Sequence, residues 1–476
     1  MDLGKRTVIR FTPEVNLRID GADLVIVSSA GRAMRIKSID KPLNKVLQIL
    51  TERFISLDSI HKELDGQFAE MNSERIYQTL NALQKRGFLF IELRDGSVIG
   101  QIEPQGLRLP SSKIALGSNY SLQISRFALM RRVGDALIVE TPNNSSHLRV
   151  CDSRYMAVLF FLAKLRAKEE IFSEFSTLAH ESLQDFLESL YAIGILDTAD
   201  EVGVLSEDVN PELMQWEFHD LLFHSYSRMG RQIGGYGGTY RFGDRIGYTP
   251  AFKEFSAEKI IALDQPAQPS LDVELKDVRF FDVIESRRTR YVSGVSPLNI
   301  GELSKFLWYS YRVKAYSPAN NSEPHPCDAS LRPVPGAGAM HEIDLYVGIS
   351  RCNGLDNGFY HYNPLNHTLE RAVNRPEQEV LIQDAARLAG LSSPPDVLII
   401  FASRFNRISW KYEKMSYAAT LKNVGVLYNQ MYLIATAMGL SPCALGGGNI
   451  ETFAKAFQIS PYLEGSVGEF ILSAST

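Results

Sequence analysis

LNALQKRGFL at residues 80–89 and LESLYAIGIL at residues 187–196 share one frame. Leu187 and Leu190 repeat Leu80 and Leu83, Gly194 repeats Gly87, and Ile195-Leu196 repeat Phe88-Leu89, always 107 residues on. Leucines three apart share one helix face, a glycine after the last turn supplies a left-handed C-cap, and the apolar pair that follows begins a strand. Each frame closes a longer order. Upstream of the first lie an apolar strand at Leu24–Val27, a turn at Ala30-Gly31, a short strand Met34-Arg35-Ile36, and helical periodicity through Val46, Leu47, Leu50, Ile60 and Leu64. Upstream of the second lie Leu137-Ile138-Val139, a polar turn from Pro142 to Ser146, Leu148-Arg149-Val150, and a helical run from Arg154 to Leu165.

A helix passing into a strand in this way is typical of a winged helix, so residues 1–105 and 106–206 read as two tandem winged-helix-like units. Winged helices often bind DNA. The last helix of the second unit, however, carries Glu181, Asp185 and Glu188 and no Lys or Arg, which would repel phosphates. The last helix of the first carries Arg75, Lys85 and Arg86, a number that a solvated face also explains. β-Augmentation, in which a peptide adds as a strand beside an exposed sheet edge, fits better. The plainer reading makes both units spacers or dimer supports.

The chain has 476 residues, enough for two to four domains at about 100 to 200 residues each. Fifty Lys plus Arg against 55 Asp plus Glu leave a net charge of -5, which draws the protein to neither nucleic acid nor an anionic membrane. Cys151, Cys327, Cys352 and Cys443 are scattered without zinc-ligand spacing and read as reduced thiols, and His219, His224 and His341 do not form a metal set. The amino-terminal stretch lacks an apolar signal core, and the longest apolar run, Tyr155 to Ala163, is about half the roughly 18 residues that span a bilayer. A cytoplasmic location is expected.

Residues 207–270 read as a helical and Gly-rich linker, with a helix from Leu213 to Gly230 followed by GRQIGGYGGTYRFGD. Its glycines are no dinucleotide loop, since no strand precedes them and no regular helix pattern follows. Over 271–476, helix and strand signals alternate: helix Asn299–Tyr309, strand Ile343–Ile349, helix Pro376–Ala389, strand Val397–Phe401 and the long apolar helix Ser416–Met438. This predicts an α+β domain.

Six ordered blocks in this half resemble the SagB and thiazoline-oxidase family, flavin dehydrogenases of nitroreductase-like fold that act on ribosomally made peptides. They are Trp216-Glu217-Phe218-His219-Asp220 with Ser227-Arg228-Met229-Gly230-Arg231, Arg287-Arg288-Thr289-Arg290, Arg332-Pro333-Val334-Pro335-Gly336-Ala337-Gly338-Ala339, Gly358-Phe359-Tyr360-His361-Tyr362, Lys411-Tyr412, and Asn429-Gln430 with Gly439 to Cys443 and Gly446-Gly447. With the tandem units in front, the chain is similar to the cyanobactin-type azoline oxidases, whose amino-terminal units form a peptide clamp.

The resemblance implies FMN as cofactor, a homodimer, a precursor peptide with leader and azoline-bearing core, and a partner cyclodehydratase. Reduced flavin would be reoxidised by O2. Arg287 and Arg290 match the phosphate-binding positions, with Arg288 where the family usually has Ser; forked guanidinium groups bind phosphate oxygens bidentately. Pro335, Gly336, Gly338 and Ala339, with Gly446 and Gly447, match the backbone that steadies the ring, where glycine permits close approach. Asn429 and Gln430 either contact the flavin or satisfy buried polar groups at a dimer seam. Lys411-Tyr412 matches the catalytic pair: aromatising an azoline takes a proton from one ring carbon and a hydride from the next, which needs a base beside a flavin. A phenol of pKa about 10 becomes a better base beside an ammonium, and desolvation lowers a lysine, so either residue is open to that role. Gly336 replaces the usual Ser, Met340-His341-Glu342 replaces the common Leu-Tyr-Pro, and the ending GSVGEFILSAST lacks the family's basic residue. Oxidation of another peptide- or carrier-linked substrate, and a flavin-free peptide-binding scaffold, are the alternatives.

Overall fold

The repeat in the sequence is also a repeat of pairing. In the computed structural model, residues 8–474 are described except 13–14, 29–32, 64–69, 105–115, 118, 145, 230–234, 267–277, 292–293 and 321. The chain divides into two units, Met1–Gly235 and Tyr236–Thr476. In the first, β1 (Val8–Phe11), the meander β2 (Val15–Asp20), β3 (Asp23–Ser28), β4 (Ala33–Ile36), α1 (Lys41–Glu52), β5 (Ile55–Ser56), α2 (Leu57–Glu63), α3 (Glu70–Lys85), β6 (Leu89–Asp95) and β7 (Ser97–Pro104) come first. The order then recurs as β8 (Ser121–Ile124), β9 (Leu129–Val133), β10 (Ala136–Glu140), β11 (Ser146–Val150), α4 (Ser153–Phe161), β12 (Arg166–Ala167), α5 (Lys168–Glu174), α6 (His180–Ala192) and β13 (Leu196–Thr198). β1 pairs with β5 and β6 as β8 pairs with β12 and β13.

The helix ends follow the sequence reading. Gly87 and Gly194 have φ of 72° and 75°, and Phe88 N donates to Leu83 O as Ile195 N donates to Leu190 O, each at 3.0 Å. This bond, spanning five residues, closes a glycine C-cap. Leu80, Leu83, Leu187 and Leu190 are fully buried.

What the repeat pattern does not carry is the fusion of the copies. β7 pairs with β6 on one side and with β11 on the other, giving one sheet ordered β5-β1-β6-β7-β11-β10-β9. Gly100 lies opposite Val150 there, and a Cβ on it would stand 2.9 Å from Leu148 Cδ1. One apolar cluster runs from Ile9 to Leu196 through both copies. Arg75 turns onto its own copy, donating to Lys37 O at 2.8 Å and Ser38 O at 3.0 Å. The expected helix from Leu213 is shorter: Leu213 N and Met214 N both bond Asn210 O in a tight turn, and helix begins only at Phe218, ending at Tyr226. Its expected end at Gly230 lies outside the described residues.

The second unit is built on an antiparallel sheet whose strands run, edge to edge, Ile260–Ala262, Thr368–Arg371, Gly358–Asn363, Ile343–Ile349, Val397–Arg404, Glu464–Ser473 and Ser441–Leu445. Every residue of Ile343–Ile349 and Val397–Arg404 is buried, because both faces are covered. Leu345, Val347, Ile399 and Phe401 face the cluster that holds Phe306, Leu307, Leu427 and Met431 from helices Ile300–Tyr311 and Ser416–Ala437. Tyr346, Leu398 and Ile400 face the other, with Leu381 and Phe453 from Pro376–Leu388 and Ile450–Phe457. Asn299 caps the first of these helices in a capping box with Glu302. Among the described residues no helix is long and apolar enough to cross a membrane, and no cluster of possible metal ligands forms.

Gly194→Ala forces a side chain into the left-handed region and is expected to cost about 1–2 kcal/mol, read as a lower urea midpoint with unchanged slope.

Candidate functional site

Strand Val397–Arg404 runs into the short helix Phe405–Lys411, and the chain leaves it extended at Tyr412. Arg407, fully buried, anchors that helix: Nη1 donates to Asp328 Oδ1 at 2.8 Å, Nη2 to Asp328 O at 3.0 Å, and Nε to Met340 O. Burial pulls its guanidinium pKa down while Asp328 opposes the shift. Trp410 Nε1 fixes the next turn on Ile246 O at 2.7 Å. Lys411 is thereby delivered to the 336–339 loop, where its Nζ donates to Gly338 O at 3.2 Å. Gly338 has φ of 55°, and a Cβ there would collide with Tyr412 Oη and stand 2.7 Å from Lys411 Nζ.

Asn423 holds the loop from the other side. From helix Ser416–Ala437 its Oδ1 accepts from Ala337 N at 3.1 Å, and its Nδ2 donates to Glu342 Oε1 at 2.9 Å. Thr420 Oγ1 gives the same buried carboxylate a further bond at 3.1 Å. His341 packs under Gly336, where a Cβ would stand 2.8 Å from its Nδ1. Burial, then the cations Arg332 and Arg407, push the His341 pKa down to about 3, so the ring is neutral. Arg332 is itself 3% exposed and lies 4.3 Å over the Tyr311 ring; its two Nη atoms have no partner among the described residues.

The Gly-rich stretch closes over the pair. Gly237–Gly238 pairs antiparallel with Tyr412–Glu413, and Tyr240 N donates to Lys411 O at 3.2 Å. Tyr240 stacks on His325 at 4.4 Å and meets Trp410 edge-on at 5.4 Å. These residues, expected within a linker, therefore join the second unit.

A second cluster gathers the arginines. Arg287 caps helix Phe280–Ser286 and lies 5.5 Å over the Tyr432 ring. Tyr432 Oη bonds Thr289 Oγ1 at 3.0 Å and accepts from Ala444 N at 2.8 Å, while Arg290 N donates to Pro442 O at 3.0 Å. The arginine block thus lies beside strand Ser441–Leu445, which leads into Gly446 and Gly447. Among the described residues nothing stands within 4 Å of a Cβ on either glycine, so their main chain is open to a ligand. Arg288 instead donates to Glu285 O at 3.1 Å and Arg287 O at 3.0 Å. Pro335 and Asn429 are exposed, Ala339 takes φ of 59°, and Gln430 Nε2 bonds Tyr309 O at 3.2 Å, tying two helices.

Asn423 and Tyr432 are nine residues apart in one helix, about 14 Å at 1.5 Å per residue. That helix links the Gly338 loop, with Lys411 and Tyr412 against it, at one end to forked cations at the other. An elongated flavin phosphate suits this arrangement: open glycine backbone and the Gly338 loop for a planar ring, Arg287 and Arg290 for an anion. Sequence reading missed Asn423, Arg407 and Tyr240. Only Asn423 had a signal, as one more amide in an apolar helix.

Residues 301–471 match the nitroreductase family model, and residues 122–233 match the model described as cyanobactin oxidase ThcOx. A provisionally named nitroreductase of Methanocaldococcus jannaschii is 25% identical over 40% of this chain and 89% of its own length. The trifolitoxin-processing protein TfxB of Rhizobium leguminosarum is 25% identical over 29% of this chain, and the microcin B17-processing protein McbC of Escherichia coli 23% identical over 36%. The chain spans 38% and 62% of the lengths of those two. It carries a nitroreductase-family oxidoreductase domain. With the cyanobactin-oxidase match ahead of that domain, the chain is similar to the SagB-like azoline oxidases.

Two outcomes check the geometry. Asp328→Ala strands the buried Arg407 charge and is expected to cost about 3–5 kcal/mol, measured as a fall in denaturant midpoint. His341 binds its proton more weakly folded than unfolded, so its contribution falls as pH drops from 6.5 toward about 3. At pH 5 the loss is about 2 kcal/mol, and His341→Asn is expected to flatten that part of the stability profile.

Proposed function

We propose that the chain is an FMN-dependent dehydrogenase that oxidises thiazoline or oxazoline rings to thiazoles or oxazoles in a ribosomally made peptide. The observation that carries this reading is the Lys411-Tyr412 pair locked against Gly338, with Lys411 Nζ on the loop carbonyl at 3.2 Å. FMN, when bound, supplies the hydride acceptor. One of Lys411 and Tyr412 takes the proton from the neighbouring ring carbon, their positions fixed by Arg407 and the Gly237–Gly238 strand. Tyr240 and His325 form an aromatic wall beside the pair, suited to excluding water and orienting a flat heterocycle. Arg287 and Arg290 hold the cofactor phosphate, and Gly336, Gly338, Ala339, Gly446 and Gly447 its ring.

The amino-terminal copies, in this reading winged-helix-like, hold the leader of the precursor. Among the described residues β9 is an edge of its sheet, with Met130 and Val133 exposed, a template for main-chain pairing with a peptide. A second copy of the chain completes the dimer: Phe280 and Phe281 are 62% and 76% exposed on one short helix. A cyclodehydratase supplies the azoline. A second reading, oxidation of another peptide- or carrier-linked substrate, is favoured by the neutral His341 under Gly336, where the loop departs from the family.

Incubation with FMN and an azoline-bearing peptide is expected to remove two hydrogens per ring by mass spectrometry; an unchanged mass with a reducible flavin selects the second reading. Lys411→Met and Tyr412→Phe are expected to retain FMN while slowing turnover about 10²- to 10⁴-fold, and wild-type rates would remove the pair from the chemistry.

A further inference from the structure

At the end of strand Ile343–Ile349 remote from the Lys411 site, about 20 Å along the strand at 3.4 Å per residue, lies a cleft of about 600 Å³. Its floor is apolar, formed by Ile349, Phe359 and Ile382. Its polar lining is unusual in what is left unmade. Gln378 is 3% exposed, and its Nε2 is committed to Val373 O at 2.8 Å, yet its Oε1 has no donor among the described residues. Ser350 Oγ is buried and has no partner among them either. A buried acceptor without a donor is destabilising by about 1–3 kcal/mol, so a lining that leaves one open points to a group that fills it.

The mouth adds a cation. Arg375 lines the cleft as the N-cap of helix Pro376–Leu388, with no side-chain cap bond and Pro at the first helical position. The positive end of a 13-residue helix and a guanidinium together favour an anion. Glu377 and Glu379 in the first turn oppose it, and Glu379, which lines the cleft and accepts from Gln383 Nε2 at 2.7 Å, keeps its charge, so Arg375 is the group an anion needs. The required ligand therefore carries an anion for Arg375, a hydroxyl partner for Ser350, an N–H donor for Gln378 Oε1, and an apolar body for the floor. We propose that this cleft binds the carboxyl terminus of a peptide that ends in an apolar residue, the carboxylate on Arg375 and Ser350 and the last amide N–H on Gln378. A free apolar amino acid shares the carboxylate and the neighbouring nitrogen donor, and the test separates the two. The proposal is independent of the flavin chemistry.

The experiment is saturation-transfer NMR and calorimetry on the full chain with N-acetyl-leucine, N-acetyl-leucinamide, leucine and inorganic phosphate, repeated on Arg375→Gln and on the smaller change Ser350→Ala, with circular dichroism to confirm folding. N-acetyl-leucine is expected to bind saturably, with the amide and Arg375→Gln each weaker by about tenfold or more, the scale of one charge-assisted bond, and Ser350→Ala weaker by a smaller factor. Absence of N-acetyl-leucine binding, equal binding of the amide, indifference to both substitutions, or displacement by equimolar phosphate would each overturn the proposal. Tighter binding of leucine than of N-acetyl-leucine would overturn the peptide as its source.

Discussion

Residue 338 has no side chain, and the site turns on that. Lys411 Nζ reaches the Gly338 carbonyl, and Tyr412 Oη stands where a Cβ on residue 338 would be. Any larger residue would separate the loop from Lys411 and Tyr412. The glycine also tolerates φ of 55°, which lets the loop turn back over the pair. Elements far apart in the chain then converge: Arg407 fixes the helix that presents Lys411, and Asn423 fixes the loop that receives it.

The scaffold makes such convergence rigid. Both central strands are buried along their whole length between two helical layers, so neither the strand that precedes the pair nor the one that follows the loop can shift without disturbing a core. Helix Ser416–Ala437 is the shared beam. It holds the loop at Asn423 and the Ser441–Leu445 strand at Tyr432, and so fixes the spacing between the loop that meets Lys411 and Tyr412 and the arginines.

Much of this was legible in the sequence. The Leu-x-x-Leu-x-x-x-Gly frames mark real C-caps because that cap needs only a local pattern, and the apolar runs at 343–349 and 397–401 mark strands covered on both faces. The ordered motif blocks found the residues that gather around Gly338 and around Tyr432. What was hidden depends on partners distant in sequence. Pairing of β7 with β11 merges the two repeats, yet each strand alone reads like any half-buried strand. Arg407 looks like a surface arginine until Asp328, 79 residues away, receives it. Two-residue strands such as Gly237–Gly238 have no periodicity to read, so the cover over the pair passed for linker.

In the proposed reading this carboxy-terminal unit seats FMN between the Gly338 loop and Arg287. Titration of the cofactor-stripped protein with FMN, followed by flavin fluorescence, tests it most directly. Saturable quenching at one flavin per chain, weakened strongly by Arg287→Glu and little by Arg288→Gln, is the expected result. Unquenched flavin at saturating protein, or binding indifferent to Arg287, would contradict it.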